Sequence, residues 1–209
     1  MKRSLIPGCL AGMLFFLVNA PTAIAQKTKD IFSPDMPLTY FGVDFSEARI
    51  IGGTPAKTSD FAGINNLIVN ETKKYDLPAV FQRSSVTVDI KAVNKKNATI
   101  NTAAIKSSNV SDFNRLKKDD VYKIIKGYNW GNRKGIGVLF IMEGMSATGK
   151  VASMYVTFFD IASKKVLLTE EMTGENGGFG FRNRWATSLY NVMEKVKKTK
   201  YNEWKAANP

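Results

Sequence analysis

The stretch Ile136–Met172, IGVLFIMEGMSATGKVASMYVTFFDIASKKVLLTEEM, decides the fold of this 209-residue chain. It contains three apolar runs, Ile136–Glu143, Val151–Ile161 and Val166–Met172, separated by two short polar links. Links this short join strands that run antiparallel to each other. The first run is apolar on both faces, which is typical of a strand inside a sheet. The stretch therefore predicts a three-strand antiparallel meander.

The rest of the chain alternates between strand and helix patterns. Period-two alternation predicts strands, and apolar residues at three-to-four spacing predict helices. The predicted elements are strands at Thr39–Phe45 and Val86–Val93 and helices at Asp60–Tyr75, Ser111–Tyr128 and Arg182–Trp204. Arg49–Ile51 either extends the first strand or forms a short second one, and the second helix either is continuous or breaks near Asp119. Residues 94–110 are polar and fit either a long loop or a loop with a short strand. We expect an α+β fold with a mixed sheet of about five strands that about three helices cover.

The first 25 residues have the pattern of a secretory signal peptide. Lys2 and Arg3 precede the apolar run Leu10–Val18, and Ala23-Ile24-Ala25 is a small-x-small cleavage site. The apolar run is shorter than the roughly 20 residues that a membrane span needs. Cys9 precedes this run instead of following it, so we expect no lipidation. The sequence predicts an exported protein, periplasmic or extracellular, without a transmembrane anchor after cleavage.

Behind the signal peptide we expect a mobile leader at residues 26–37 and one α+β domain at residues 38–205. The leader is polar and has two prolines close together. About 70% of the unfolded surface can be buried in a domain of this size, so the fold needs no disulfide. The only cysteine, Cys9, lies in the segment that cleavage would remove.

The composition excludes several classes of enzyme and favours anionic partners. The chain has no histidine, which excludes histidine bases, histidine metal sites and Ser-His-Asp triads. We expect no metal and no cofactor. Cleavage would remove Lys2 and Arg3 and would lower the formal net charge from +12 to +10. Such a charge suits an acidic envelope protein or an anionic envelope surface, and export argues against nucleic acid. A basic surface that only maintains solubility gives the same charge.

Two phrases resemble a group of exported envelope proteins with an anticodon-binding-domain-like fold. The phrases are Tyr40–Phe45, a strand that contains an acidic residue near its end, and Tyr155–Leu168, a strand, an aspartate, a short turn and a second strand. The group includes the N-terminal domain of TolB, penicillin-binding-protein activator lipoproteins and curli-secretion lipoproteins. The chain also looks like uncharacterised exported proteins of Bacteroides-type bacteria. The first resemblance implies a non-enzymatic binding module in envelope assembly, and it assigns no functional residue.

The glycine-rich segment Thr173–Trp185 is the first candidate site. Four glycines from Gly174 to Gly180 give backbone freedom to a segment that also contains two phenylalanines and two arginines. Aromatic residues and arginine are enriched at protein interfaces. We expect a partner-binding edge formed by Phe179, Phe181, Arg182 and Arg184. The alternative is a flexible turn whose phenylalanines pack on the core.

Basic residues around the polar middle of the chain form the second candidate site. They suit contact with an anion, such as a phosphate or a lipid head group, or they form a solvated face; the candidates are Lys95, Lys96, Arg115, Lys117 and Lys118. Three aspartates near strand ends, Asp44, Asp89 and Asp160, can cap turns, bind a metal ion or do acid–base work. Tyr128 and Trp130 can stack on a sugar or pack internally.

The functional prediction is an exported, non-enzymatic binding module that assists the assembly or regulation of cell-envelope machinery through protein contacts. No catalytic spacing is present in the sequence, and histidine and a mature cysteine are missing. Carboxylates alone can catalyse glycoside hydrolysis. The alternative is therefore a carboxylate-based enzyme of unfamiliar type, acting on an envelope polymer or glycan.

Overall fold

The computed structural model describes residues 26–53 and 56–209 and confirms the α+β class. The predicted signal peptide, with Cys9, lies outside the described residues. The strands are β1 Leu38–Asp44, β2 Arg49–Ile51, β3 Thr87–Val88, β4 Lys106–Ser107, β5 Ile136–Ser146, β6 Val151–Asp160 and β7 Val166–Glu175. The helices are α1 Thr58–Asn70, α2 Leu77–Val80, α3 Lys91–Asn97, α4 Lys118–Gly127, α5 Gly180–Lys195 and α6 Tyr201–Ala207. None of the described helices is long and apolar enough to cross a membrane.

The sheet is mixed, and β5 lies at its centre. One edge of β5 pairs antiparallel with β6, which in turn pairs antiparallel with β7. The other edge of β5 pairs parallel with β1 and then, further along, with β2. Strands β3 and β4 extend this half, each parallel to its neighbour. The antiparallel strands at 136–175 are thus only half of the sheet, and a meander does not describe the whole.

Seven strands are present in the described chain instead of the five predicted. Because β6 occupies one edge of β5 along its whole length, β1 and β2 must share the other edge. Strands β3 and β4 likewise lie one after the other outside them. The seven strands therefore fill five positions across the sheet, and the sequence count was wrong because two positions are each divided between short strands.

A bulge in β1 changes the face of the sheet on which the following residues lie. The pairing of β1 with β5 shifts register between Tyr40 and Val43, and Gly42 between them has φ of +96°, a value that favours glycine. The buried Asn65 side chain accepts a hydrogen bond from the backbone N–H of Val43 at 2.8 Å and donates one to its carbonyl at 3.1 Å. Adjacent strand residues face opposite sides, so Tyr40 joins the first core and Phe41 the second. The bulge then returns Val43, three residues after Tyr40, to the same core as Tyr40.

The two faces of the sheet have separate cores. Helices α1, α5 and α6 cover the first face with large rings such as Phe61, Trp185 and Trp204. The second face has a smaller core, to which α3, α4 and the segment after α4 contribute. It contains Phe41, Val93, Leu116, Val121, Ile124, Ile125, Tyr128, Trp130, Leu139, Ile141, Tyr155, Phe159 and Ile161.

Two local predictions were wrong. Residues 26–37 do not form a separate leader, because Thr28–Phe32 is a 3₁₀ helix whose Ile31 and Phe32 are buried in the first core. Only Thr87–Val88 of the predicted strand Val86–Val93 is a strand. The chain enters α3 at Lys91 since this helix buries Val93 and Asn97 against β1.

The predicted helix Ser111–Tyr128 is divided into a 3₁₀ helix, Val110–Asn114, and α4. The last helix is close to its predicted extent. Helix α5 continues through a π-helical segment, Val196–Lys200, into α6, so helical structure runs without a break from 180 to 207.

Candidate functional site

The glycine-rich segment is mostly regular structure. Strand β7 continues to Glu175 and α5 begins at Gly180, which leaves residues 176–179 as the connection. Gly178 and Gly180 have φ of +88° and +79°, and these values explain the glycines on either side of Phe179. The long turn of the alternative interpretation is therefore a connection of four residues between two regular elements.

The two phenylalanines of this segment have opposite environments. Phe179 is 95% exposed. Phe181 is half-buried, and its ring meets the rings of Phe61 and Trp185 edge-on, at centroid distances of 6.1 and 6.2 Å. Phe181 thus anchors the start of α5 on the first core, and Phe179 projects from the connection into solvent.

The two arginines also differ. Arg182 is exposed, and its aliphatic stem passes over Gly63 of α1. Arg184 is half-buried and lines a small cavity of about 220 Å³ with Phe181 and Trp185. Neither arginine has a carboxylate within ion-pair distance in the described part of the chain. Arg182 and Phe179 are thus the members of the predicted set that are free to contact a partner.

The predicted anion-contacting residues belong to two separate places. Lys95 and Lys96 lie on α3 and line a groove. Arg115 instead bonds Glu47, with 3.0 Å from Nη2 to Oε2. Lys117 and Lys118 are exposed at the start of α4 and do not line this groove. Anion binding by these residues stays a prediction, and the structure does not gather them into one patch.

The groove lies between α3 and the segment Gly127–Arg133 that follows α4. Its volume is about 870 Å³. It has an aromatic floor, four basic side chains and one aspartate at its rim. The lining residues are Phe41, Asp89, Lys91, Ala92, Lys95, Lys96, Thr99, Gly127, Tyr128, Asn129, Trp130, Gly131, Asn132 and Arg133.

The floor of the groove is a stack of rings. Trp130 lies 4.4 Å from Tyr128, 4.5 Å from Phe41 and 4.8 Å from Phe159, between ring centroids. Its Nε1 donates to the carbonyl of Ile125 at 3.0 Å. Tyr128 and Trp130 are only 5% and 4% exposed. The pair therefore packs internally, as in the alternative to sugar stacking, and it offers the groove an apolar surface instead of a free ring face.

Beneath the floor, Asp44 collects three donors. This buried carboxylate accepts a hydrogen bond from the Tyr128 hydroxyl at 2.8 Å and lies 3.3 Å from Nζ of Lys96. It also accepts from the backbone N–H of Ser46 at 2.7 Å. The Lys96 ammonium lies 4.7 Å above the centre of the Tyr128 ring. Burial and the charge of Asp44 raise the pKa of Tyr128, so its hydroxyl keeps its proton and holds the carboxylate in place.

The three aspartates of the sequence analysis are not brought together. Asp89 pairs with Arg133 at 2.7 Å. Asp160 caps the β6–β7 turn, since its Oδ1 accepts from the backbone N–H of Ala162 at 2.9 Å. No group of three carboxylates that could hold a metal ion is found among the described residues. Each aspartate thus has structural partners of its own.

A cluster that the sequence analysis missed lies where β5, β6 and β7 are adjacent. Ser153 Oγ lies 2.9 Å from Oε2 of the fully buried Glu143 and 3.1 Å from Oε1 of Glu171. The backbone N–H of Leu116 donates to the other oxygen of Glu143. Burial raises the pKa of Glu143, and the nearby charge of Glu171 raises it further.

One serine proton cannot be donated to two carboxylates at once. Both contacts become hydrogen bonds when Glu143 is protonated and donates to Ser153, which then donates to Glu171. The signal in the sequence was a lone glutamate within the apolar run of β5. That run was taken to end at Glu143, but β5 continues to Ser146.

The comparisons with known proteins give no family. No protein-family model matches the chain, and no curated protein matches its sequence. The LpoB C-terminal domain from Salmonella enterica is a structural neighbour at TM-score 0.26 and 9% identity, covering 76% of this chain and 90% of that one.

Two further solved structures are similar at the same loose level. Protein XCC0632 from Xanthomonas campestris, of family DUF330, gives a TM-score of 0.30 and 7% identity over 84% of this chain and 88% of that one. Lipoprotein GNA1162 from Neisseria meningitidis gives a TM-score of 0.31 and 10% identity over 78% of this chain and 97% of that one. TM-scores of this size carry no argument for a shared fold. The resemblance to envelope proteins therefore stays a prediction of the sequence.

Proposed function

We propose that this protein is an exported, non-enzymatic binding module that assists the assembly or regulation of cell-envelope machinery through protein contacts. The observation that carries the proposal is Phe179, an aromatic side chain that is almost fully exposed on a four-residue connection. The hydrophobic effect disfavours such exposure, and a partner that encloses the ring would remove its cost.

The surroundings of Phe179 suit a protein partner. Phe181 fixes the start of α5 to the core, so the connection is held at a defined position beside α5. Arg182 adds an exposed guanidinium without a described carboxylate partner. Aromatic and arginine side chains dominate the energetics of protein interfaces. A pocket in the partner for one ring, with an acidic rim, complements this surface.

Site-specific photo-crosslinking in the native host tests the proposal. A benzophenone-bearing phenylalanine analogue replaces Phe179 in one variant and Tyr122 in the control. Tyr122 is an exposed aromatic residue on α4 and lies near the start of β7, at the opposite end of this strand from Phe179. We expect a discrete protein adduct from position 179 and none from position 122. Equal adducts from both positions, or an adduct to lipid alone, would overturn the proposal.

A further inference from the structure

The groove between α3 and Gly127–Arg133 has the composition of a ligand site. Its volume of about 870 Å³ lies within the range of about 300–1,000 Å³ that small-molecule sites occupy. Such sites are mostly apolar and carry a few polar groups that orient the ligand. Phe41, Tyr128 and Trp130 supply the apolar floor, and the basic residues supply the polar groups.

The basic residues of the groove fall into two classes. Lys96 and Arg133 are occupied, since they pair with Asp44 at 3.3 Å and with Asp89 at 2.7 Å. Lys91 and Lys95 are exposed, and no carboxylate lies within 4.0 Å of either ammonium in the described structure. The paired cations shape the groove, and the unpaired ones carry the charge that a ligand meets.

The spacing of the two free lysines is unfavourable for the protein alone. Lys91 and Lys95 are four residues apart on α3, so their side chains leave the same face of the helix. Like charges at this spacing repel each other and destabilise a helix. Both line the groove, and one anionic group between them would turn the repulsion into two charge-assisted hydrogen bonds.

We propose that this groove binds a small amphipathic anion, whose carboxylate or phosphate lies between Lys91 and Lys95 and whose apolar body covers the floor at Tyr128 and Trp130. Neither part of the groove is sufficient alone. The rings are nearly buried and expose little surface, and two lysines without a floor would select no particular anion. This site is independent of the protein contact proposed for Phe179, and either proposal can fail without the other.

The test is a titration of the purified ¹⁵N-labelled protein followed by amide chemical shifts. Phenylacetate and phenyl phosphate are the probes and distinguish the two head groups. Phenethylamine has the same ring with a positive charge, and acetate and inorganic phosphate have the charge without the ring. We expect at least one of the two probes to shift the amides of Gly127, Asn129 and Gly131 at millimolar concentration. Phenethylamine should leave these amides unchanged, and the ring-free anions should bind more weakly than the probes.

Two matched double variants distinguish anion binding in the groove from nonspecific attraction of anions to a basic protein. Lys91→Gln/Lys95→Gln should weaken binding by about fivefold or more, because it removes the two charged donors. Lys197→Gln/Lys205→Gln removes the same charge from exposed positions near the C-terminus, outside the groove, and should change binding by less than about twofold. Thermal melting checks that both variants fold.

Three results would overturn the proposal. The first is the absence of shifts at the groove amides with both probes. The second is equal weakening by the two double variants, which would indicate adventitious anion binding by a basic surface. The third is binding of phenethylamine as tight as that of the anions.

Discussion

The groove and the β7–α5 connection both present aromatic residues next to cations, and they do so in different ways. In the groove, Tyr128 and Trp130 are almost fully buried, and their rings belong to the second core. At the connection, Phe179 is 95% exposed and belongs to neither core. The rings of the groove are therefore part of a hydrophobic core, whereas the ring of Phe179 projects from the surface.

This difference determines whether a substitution at each site affects binding and stability together or binding alone. A change to the groove floor alters the packing of the second core, so its effects on binding and on stability are coupled. A change at Phe179 leaves both cores intact, so binding can be lost while stability is kept. The predictions below depend on this separation, and the largest effects are expected where ring and core coincide.

Replacement of Trp130 by alanine should have the largest effect. It removes a ring that contacts Phe41, Tyr128 and Phe159 and deletes the hydrogen bond to the carbonyl of Ile125. Truncation of a buried tryptophan costs about 3–5 kcal/mol. Urea unfolding measures the loss of stability. A loss below about 1 kcal/mol would mean that the ring is not part of the core.

Asp44→Asn should have an intermediate effect. Asparagine has one oxygen, so it can accept from the Tyr128 hydroxyl or from the Ser46 N–H but not from both, and the negative charge beside Lys96 is lost. Since Lys96 is partly exposed, it can turn to water, and we expect a cost of about 1–2 kcal/mol. A double-mutant cycle with Lys96→Met isolates the ion pair. A coupling free energy of zero would show that the pair contributes nothing.

Glu143→Gln should have a smaller effect that depends on pH. Glu143 lies on the groove side of the sheet and faces Ser153, Glu171 and Tyr155 from the strands and Arg115 beside Leu116. Its pKa is raised on folding, so its contribution to stability is complete below the unfolded value of about 4.3 and is lost as pH rises through the folded value.

Glutamine resembles the protonated acid, because its amide can accept from Leu116 and donate to Ser153. The melting temperature of the variant, relative to that of the parent, should therefore increase as the pH rises from 4 towards 8. Melting curves across this range measure the difference. A constant difference would contradict a raised pKa of Glu143.

Phe179→Ala should have the smallest effect on stability, below about 0.5 kcal/mol, because the ring has almost no contacts to lose. Phe181→Ala is the matched control two residues away. It removes the edge contacts to Phe61 and Trp185 and should cost about 2 kcal/mol. Chemical unfolding of the two variants under one condition gives both values. Equal losses would contradict the distinction between an anchor and a free ring.

The sequence predicted the elements that have long-range periodicity. The runs that became β5, β6 and β7 were found because alternation and short links determine their pairing. Val86–Val93 was predicted as a strand because its apolar residues alternate with polar ones. Contacts of α3 with β1 outweighed that alternation, and such contacts leave no local pattern in the sequence. Ile31 and Phe32 were missed for the same reason, since two apolar residues among polar ones do not indicate where they pack.

The candidate sites were predicted in part. Phe179 and Phe181 stand in the same glycine-rich context, and only the start of α5 at Gly180 decides which ring meets the core. Lys95 and Lys96 were predicted to contact an anion, but Lys91 and Arg133 were missed. They join the groove through the packing of α3 against the segment after α4, which spacing along the chain does not show.

The central claim is that a partner protein binds the Phe179 ring. The most direct test measures the yield of a photo-crosslinked adduct from a neighbouring position when this ring is removed. Asn183 is exposed on the first turn of α5, beside Gly178, and carries the photo-crosslinker in every variant. The parent, Phe179→Ala and Tyr122→Ala are compared in the native host at equal protein levels. The account predicts that the adduct from position 183 is lost in Phe179→Ala and kept in Tyr122→Ala. An undiminished adduct in Phe179→Ala would contradict it, since the exposed ring would then not be what the partner binds.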